Sequence, residues 1–329
     1  MLTIGPQKRD ARPQEAVETL RRGDYVEIKS PEEILRTLDS DGAINHVPFM
    51  PEMIAFCGGR YRIARRVVTT CVSGTDSPRS FYHDDVYTLE DLRCSGAAHG
   101  GCQKACAIYW RQAWLRKVER PADRSQPGAA ASTQDASAER LRAALKVSTG
   151  PNTYFCQASE FVKDTFHLAT ARLKVASLMR QLSVGNFTLL QMARILWIWL
   201  IIRIRWAIKG VFAQGRNKST PNEGLNLRAG EWVEIKPMQE ILQTLNEQGM
   251  NRGLQFNADM GRVCGRRYRV NGRLENFIAD CTGEMRHMRN TVCLENSFCG
   301  CVYLGGLGRG ACARNEYVYW REIWLRRVG

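Results

Sequence analysis

Apolar and polar residues alternate over "YVEIK" (25–29) and again over "WVEIK" (232–236), the two-residue period of a half-buried strand. Helical spacing follows the first of these. Ile34, Leu35 and Leu38 share one face, Ser30 and Glu33 form a capping box with Pro31 at the first helical position, and Gly42 ends the run. Strand patterns return over "RYRIARRV" (60–67), "DVYTL" (85–89) and "AWLRKV" (113–118). Short strands around one small helix predict an α+β chain of SH3-like, partly open β-barrel modules, one over 20–118 and one over 228–329.

The stretch between them reads differently. Residues 119–149 are rich in Ala, Ser, Pro, Gln and Asp, the composition of a flexible linker, and end in a short helical pattern. Residues 150–215 read as a helical middle segment. Its most apolar part, 187–212, has a longest uncharged run of eight residues, Ile195 to Ile202. A spanning helix needs about 20 apolar residues, so no transmembrane span is expected. The leading expectation is an aromatic helix packed between the modules. The alternative is a helix lying on a membrane surface, with Trp197, Trp199 and Trp206 at the headgroups.

The two modules are also written alike. "GDYVEIKSPEEILRTLDSDG" (23–42) lies against "GEWVEIKPMQEILQTLNEQG" (230–249) without a gap, and the same offset of 207 pairs Phe49 with Phe256, Met53 with Met260 and Cys57 with Cys264. "YWRQAWLRKV" at 109–118 answers "YWREIWLRRV" at 319–328, which carries Cys102 onto Cys312. Shorter insertions let Cys94 pair with Cys299 and Cys71 with Cys281. The paired Trp110 and Trp114, like Trp320 and Trp324, are expected to pack in the core against the "VEIK" strand.

These matches give two candidate ligand sets: Cys57, Cys71, Cys94 and Cys102, and then Cys264, Cys281, Cys299 and Cys312. The first residues of the chain hold no apolar run of the secretory type, so the expectation is a cytoplasmic, reducing compartment. There, 12 cysteines point to metal or thiol chemistry before disulfides. Four thiolates suit zinc in a closed structural site, the expectation for a scaffold or accessory subunit, and glycine-rich turns between cysteines keep an iron-sulfur cluster as the alternative, which would make the first module an enzyme or electron carrier. Cysteines acting as small buried apolar residues are the plain alternative to both. No Cys-x2-Cys knuckle is present, so the duplication carries the argument. His99 and Cys106 join the first set as additional candidates, but Cys106 is answered by Glu316 and His99 has no partner in the second copy. Cys156 is also unmatched. Glu52 and Asp259 beside the matched methionines are acidic candidates whose ordinary role would be surface or capping. Two equivalent sites predict about two metal ions per chain.

The net charge of +14 adds an anionic partner as a reading. RNA binding would use Arg60, Tyr61, Arg62 and their equivalents Arg267, Tyr268 and Arg269. "GLGRGA" (306–311) lacks the strand-turn-helix context of a dinucleotide site, and no nucleophile elbow, phosphate-loop lysine or zinc-protease motif occurs.

The segments "PFMPEM", "CGGRYRI", "TCV", "LRCSGAAHGGCQKAC", "FCQASE", "SVGN" and "YWREIWLRRV" together resemble a bacterial family of two related cysteine-containing modules around a helical middle. The resemblance implies a place in polysaccharide or natural-product assembly, with another protein of that pathway as partner, and transfers no activity. The chain departs from the family pattern near Cys281 and Cys301, which leaves the second ligand set open.

Overall fold

The computed structural model describes residues 19–73, 78–120, 136–209, 213–299 and 313–328. The architecture is mixed α+β, mostly sheet with few helices, and includes a half-barrel sheet. In the first half, β1 (Tyr25–Ile28) pairs with β2 (Arg60–Arg66), and β3 (Pro78–Phe81) turns aside. Next, β4 (Val86–Leu89), β5 (Trp110–Arg111) and β6 (Leu115–Val118) complete an antiparallel sheet ordered β5-β4-β2-β1-β6. Helix α1 (Pro31–Leu35) begins at the expected capping box, where Ser30 Oγ accepts from the Glu33 N–H and Glu33 accepts from the Ser30 N–H. It is shorter than its apolar pattern, and Ile34 alone of its leucines and isoleucines is fully buried.

Helix α2 (Ala136–Ala144) packs Ala138 and Leu141 into the same core. The following stretch departs from the helical expectation. Helix α3 (Gln157–Glu160) is a single turn, and β7 (Thr165–His167) pairs antiparallel with β3 in a sheet ordered β7, β3, Thr70–Cys71. The open edge of β3 offers unpaired backbone groups, and this pairing satisfies them where a helix would not. Regular helices resume only at α4 (Ala171–Ser183) and α5 (Leu189–Lys209). The favoured position of α5 between the modules is not observed: Leu196, Trp197, Leu200 and Ile204 are exposed.

The second half holds β8 (Trp232–Ile235), α6 (Met238–Leu242), β9 (Arg267–Arg273), β10 (Thr291–Phe298), β11 (Tyr317–Arg321) and β12 (Leu325–Arg327). Its sheet runs β11-β10-β9-β8-β12. The paired tryptophans occupy both cores, wholly buried. Phe49 meets Trp114 edge-on at 5.2 Å and Phe256 meets Trp324 at 5.3 Å, contacts worth about 0.5–1.5 kcal/mol beyond burial. Each of these indoles donates to a threonine, Trp114 to Thr37 Oγ1 and Trp324 to Thr244 Oγ1. Buried Arg111 donates to the carbonyls of Ile44 and Asn45, and Arg321 to those of Asn251 and Arg252. Both arginines hold a left-handed turn in place, since Asn45, His46 and Arg252 have positive φ.

The halves meet across a buried charge cluster. Lys104 Nζ lies 2.5 Å from Asp280 Oδ1 and 3.2 Å from Glu316 Oε1, while Arg314 reaches Asp280 Oδ2 at 2.6 Å and Glu316 at 3.6 Å. Ser73 donates its N–H to Asp280 and its hydroxyl to Glu316. Two cations from opposite halves therefore face two anions, all nearly sealed from water. Gln103 adds backbone-like bonds, accepting from the N–H groups of Glu275 and Asn276.

Burial by itself would raise Asp280 and Glu316, but the two cations outweigh it and hold both carboxyls below their ordinary range. Asp280→Asn leaves two cations facing one anion and is expected to cost about 3–5 kcal/mol in urea unfolding. Lys104→Met combined with Asp280→Leu removes charge in balance and should cost much less. A carboxyl depressed in the folded state stabilises fully above its unfolded value, about pH 4, and loses that contribution as pH falls through the folded value. The deficit of Asp280→Asn should therefore be constant near neutrality and shrink in acid; an equal deficit at pH 7 and pH 2 would contradict the ion-pair account.

Candidate metal centre

The loop "SGAAHGGC" (95–102) folds back over Gly96, whose carbonyl accepts from the N–H groups of His99 and Gly101. Gly96 has φ +68°, and a Cβ there would stand 2.0 Å from the Cys102 carbonyl oxygen. Gly100, at φ +61°, leaves room for the Tyr154 hydroxyl, 2.2 Å from where its Cβ would lie. Only glycine meets both demands. The result is that His99 turns inward and is 1% exposed.

Its ring is held at both nitrogens. Nε2 lies 3.2 Å from the Phe155 carbonyl, an acceptor, so Nε2 carries a proton and donates. Nδ1 lies 2.8 Å from Glu52 Oε1, which also accepts the Ala98 N–H. Glu52 belongs to the short turn Pro51–Phe56 in "PFMPEM". Burial pushes its carboxyl up, but the hydrogen bond and charge of His99 outweigh that and hold it below its ordinary value. Its second oxygen, Oε2, is buried with no hydrogen-bond partner. Cys94 completes a group whose three ligand atoms lie within 4.8 Å of one another, the one such trio of His, Cys, Asp or Glu among the described residues.

This arrangement suits a cation. With Nε2 protonated, Nδ1 and Oε1 present facing lone pairs, and one proton must sit between them. Tetrahedral ligation at about 2.0–2.2 Å would separate these atoms by roughly 3.3 Å, so a metal could replace that proton with a small opening of the pair. Donation from Nε2 to a backbone carbonyl is the outer contact that orients a ligating imidazole. The fit is therefore good in donor chemistry and in the orphaned Oε2.

Three further thiols face the same space. Cys94, Cys102, Cys106 and Cys156, with His99 and Lys104, line a cavity of 30 Å³. That is room for one ion or one or two waters. Burial pushes Cys106 up to about 12 despite the nearby Lys104, and Cys156 up to about 11. Cys94 is raised furthest, by burial and then by Glu52. Cys102 Sγ accepts the Ile278 N–H at 3.4 Å. Gln157 of "FCQASE" ties the surrounding pieces together, donating to the carbonyls of Pro48 and Tyr109 and accepting the Tyr109 N–H.

The other predicted ligands lie elsewhere. Cys57 and Cys264 sit in matching places, each Sγ 4.0 Å from the carbonyl of Met53 or Met260. Cys57 is wholly buried in the first core, and burial pushes it up to about 12. Both pack against the cores, and neither belongs to a ligand trio among the described residues. Cys71 ends a short strand and offers its carbonyl to Arg314. Cys281 is exposed in a left-handed turn, at φ +68°. Cys299 is matched to Cys94 through the backbone: its N–H donates to the Glu316 carbonyl at 2.8 Å, as that of Cys94 does to Cys106 at 2.9 Å. Cys312, like Cys301, lies outside the described residues. Neither expected four-cysteine set is thus gathered among the described residues. Comparing the halves favoured shared cysteines and set aside His99 and Glu52, which the structure brings together.

Comparison with protein-family models, with curated proteins and with solved structures returned no match.

Burial predicts the order of thiol reactivity. Iodoacetamide labelling of the folded protein, followed by peptide mass mapping, is expected to modify exposed Cys281 at least about tenfold faster than buried Cys57, Cys156 or Cys293. Rapid labelling of Cys156 would show that the cavity is open to solvent.

Proposed function

We propose that the chain is a metal-binding protein holding one ion between Glu52, Cys94 and His99, in a structural role that supports an accessory or scaffolding function. The observation that carries this reading is the buried Glu52 Oε2 without a partner, beside an imidazole already oriented by Phe155. One oxygen, one sulfur and one nitrogen donor favour zinc over calcium or magnesium, which take oxygen alone. Cys102, on the same cavity wall, is the candidate for the fourth position. An iron-sulfur cluster draws on the four thiols of the cavity, but a space of 30 Å³ suits a single ion better.

The two sheets, with their common strand order and matched Phe–Trp contacts, are read as two copies of one SH3-like module, and among the described residues the ligand trio lies in the first. The RNA reading gains less support. Arg60 pairs with Glu27, Arg62 with Glu90, and Arg267 with Glu234, so these arginines already face carboxylates of their own sheets. From the resemblance of the cysteine-bearing segments we further infer a setting in bacterial polysaccharide or natural-product assembly.

Elemental analysis of anaerobically purified protein is expected to give about one zinc per chain, where two equivalent sites would give two. Cys94→Ser and His99→Ala should each weaken zinc binding at least about 100-fold. Cys264→Ser and Cys281→Ser should leave it unchanged. No metal in the purified protein and no uptake of added zinc would sink the proposal, and absorbance above 400 nm with bound iron would replace zinc by a cluster.

A further inference from the structure

Helix α5 leaves the body of the protein with an apolar stripe in solvent. Leu189, Leu196, Trp197, Leu200 and Ile204 fall on one helix face and are 43–78% exposed. On the opposite side Met192 and Ile195 pack against Phe187, Leu178 and Leu182. The base of the helix is firmly held. Asn186, in the "SVGN" corner between α4 and α5, is wholly buried and donates to the carbonyls of Arg66 and the Gln181 side chain, while its Oδ1 accepts the Arg66 N–H. Arg65 lies 4.9 Å over the Phe187 ring. A rigid corner therefore presents the stripe, and its exposure is a feature of the fold that a water-facing helix would not select.

Charge identifies what covers it. Residues 165–222 contain nine Arg and Lys and no Asp or Glu, so this one segment holds most of the chain's excess of +14. A second copy would bring the same cations against it. Trp197, Trp199 and Trp206 are of the residue type that settles at a membrane–water boundary. No helix among the described residues is long and apolar enough to cross a membrane. We propose that α5 lies in the plane of an anionic membrane surface, its leucine and isoleucine stripe among the acyl chains and the basic segment against the lipid phosphates. This surface is independent of the metal site.

Flotation of the full chain with vesicles tests the proposal. Binding is expected to vesicles of phosphatidylcholine with 30% phosphatidylglycerol, to be at least about tenfold weaker to phosphatidylcholine alone, and to fall with added salt. Leu196→Asp with Leu200→Asp replaces two exposed residues and should reduce binding roughly 100-fold, with an unfolding midpoint equal to that of the parent. A parent protein that stays with the unbound fraction at low salt overturns the proposal. So does binding that the double variant retains, or a dimer in light scattering that the double variant dissociates, which would assign the stripe to self-association.

Discussion

Placing Lys104, Asp280, Arg314 and Glu316 out of water together is the constraint on which the arrangement of the halves depends. Each charge would be costly to bury alone, and their mutual attraction offsets the desolvation only while all four keep their positions. The cluster draws Lys104 from the first half and the other three from the second, so it ties the two halves together. Its reach extends to the candidate site. Lys104 lies between Cys102 and Cys106 in sequence and lines the same cavity, which ties the glycine-rich loop to the seam. Cys106 therefore sits in a low-dielectric pocket with a cation beside it, and remains a neutral thiol because burial outweighs that cation.

The matched positions and the unmatched ones do different work. Phe49 and Phe256, the paired tryptophans and the buried arginines serve the cores and turns in the same manner in both halves. The departures are where chemistry enters. At one backbone position the first half has Cys106, facing a cavity of thiols, and the second has Glu316, an anion of the charge cluster. Another departure costs something: Trp320 donates its indole N–H to Ser297, whereas that of Trp110 is buried without a partner. These positions differ between the halves, while the phenylalanine–tryptophan contacts are common to both.

Much of the frame was legible in the chain. The capping box of Ser30 and Glu33, the strands at "VEIK" and "RYRIARR", and the core tryptophans follow from local pattern, because period, caps and large apolar residues act over a few positions. The segment from Cys156 to His167 was read as helix for the same local reason. It fails because a partner strand at β3 competes for its backbone, and that partner lies some 85 residues away.

What the sequence determined by itself was local: the strands at "VEIK", the capping box and the core tryptophans, whereas Cys57 and Cys264, offered as ligands by their matched positions, pack against the cores instead. Tertiary structure decided which polar groups meet. Glu52, Cys94, His99 and Phe155 come from three separated segments; Cys94 and His99 are candidates from the chain alone, but their meeting with Glu52 and Phe155 is not legible there. Asp280 and Lys104 are likewise 176 residues apart. The physical reason is range. Periodicity and capping are set by neighbours along the chain, whereas pairing of lone pairs and charges depends on desolvation, which exists only after distant segments have packed and excluded water.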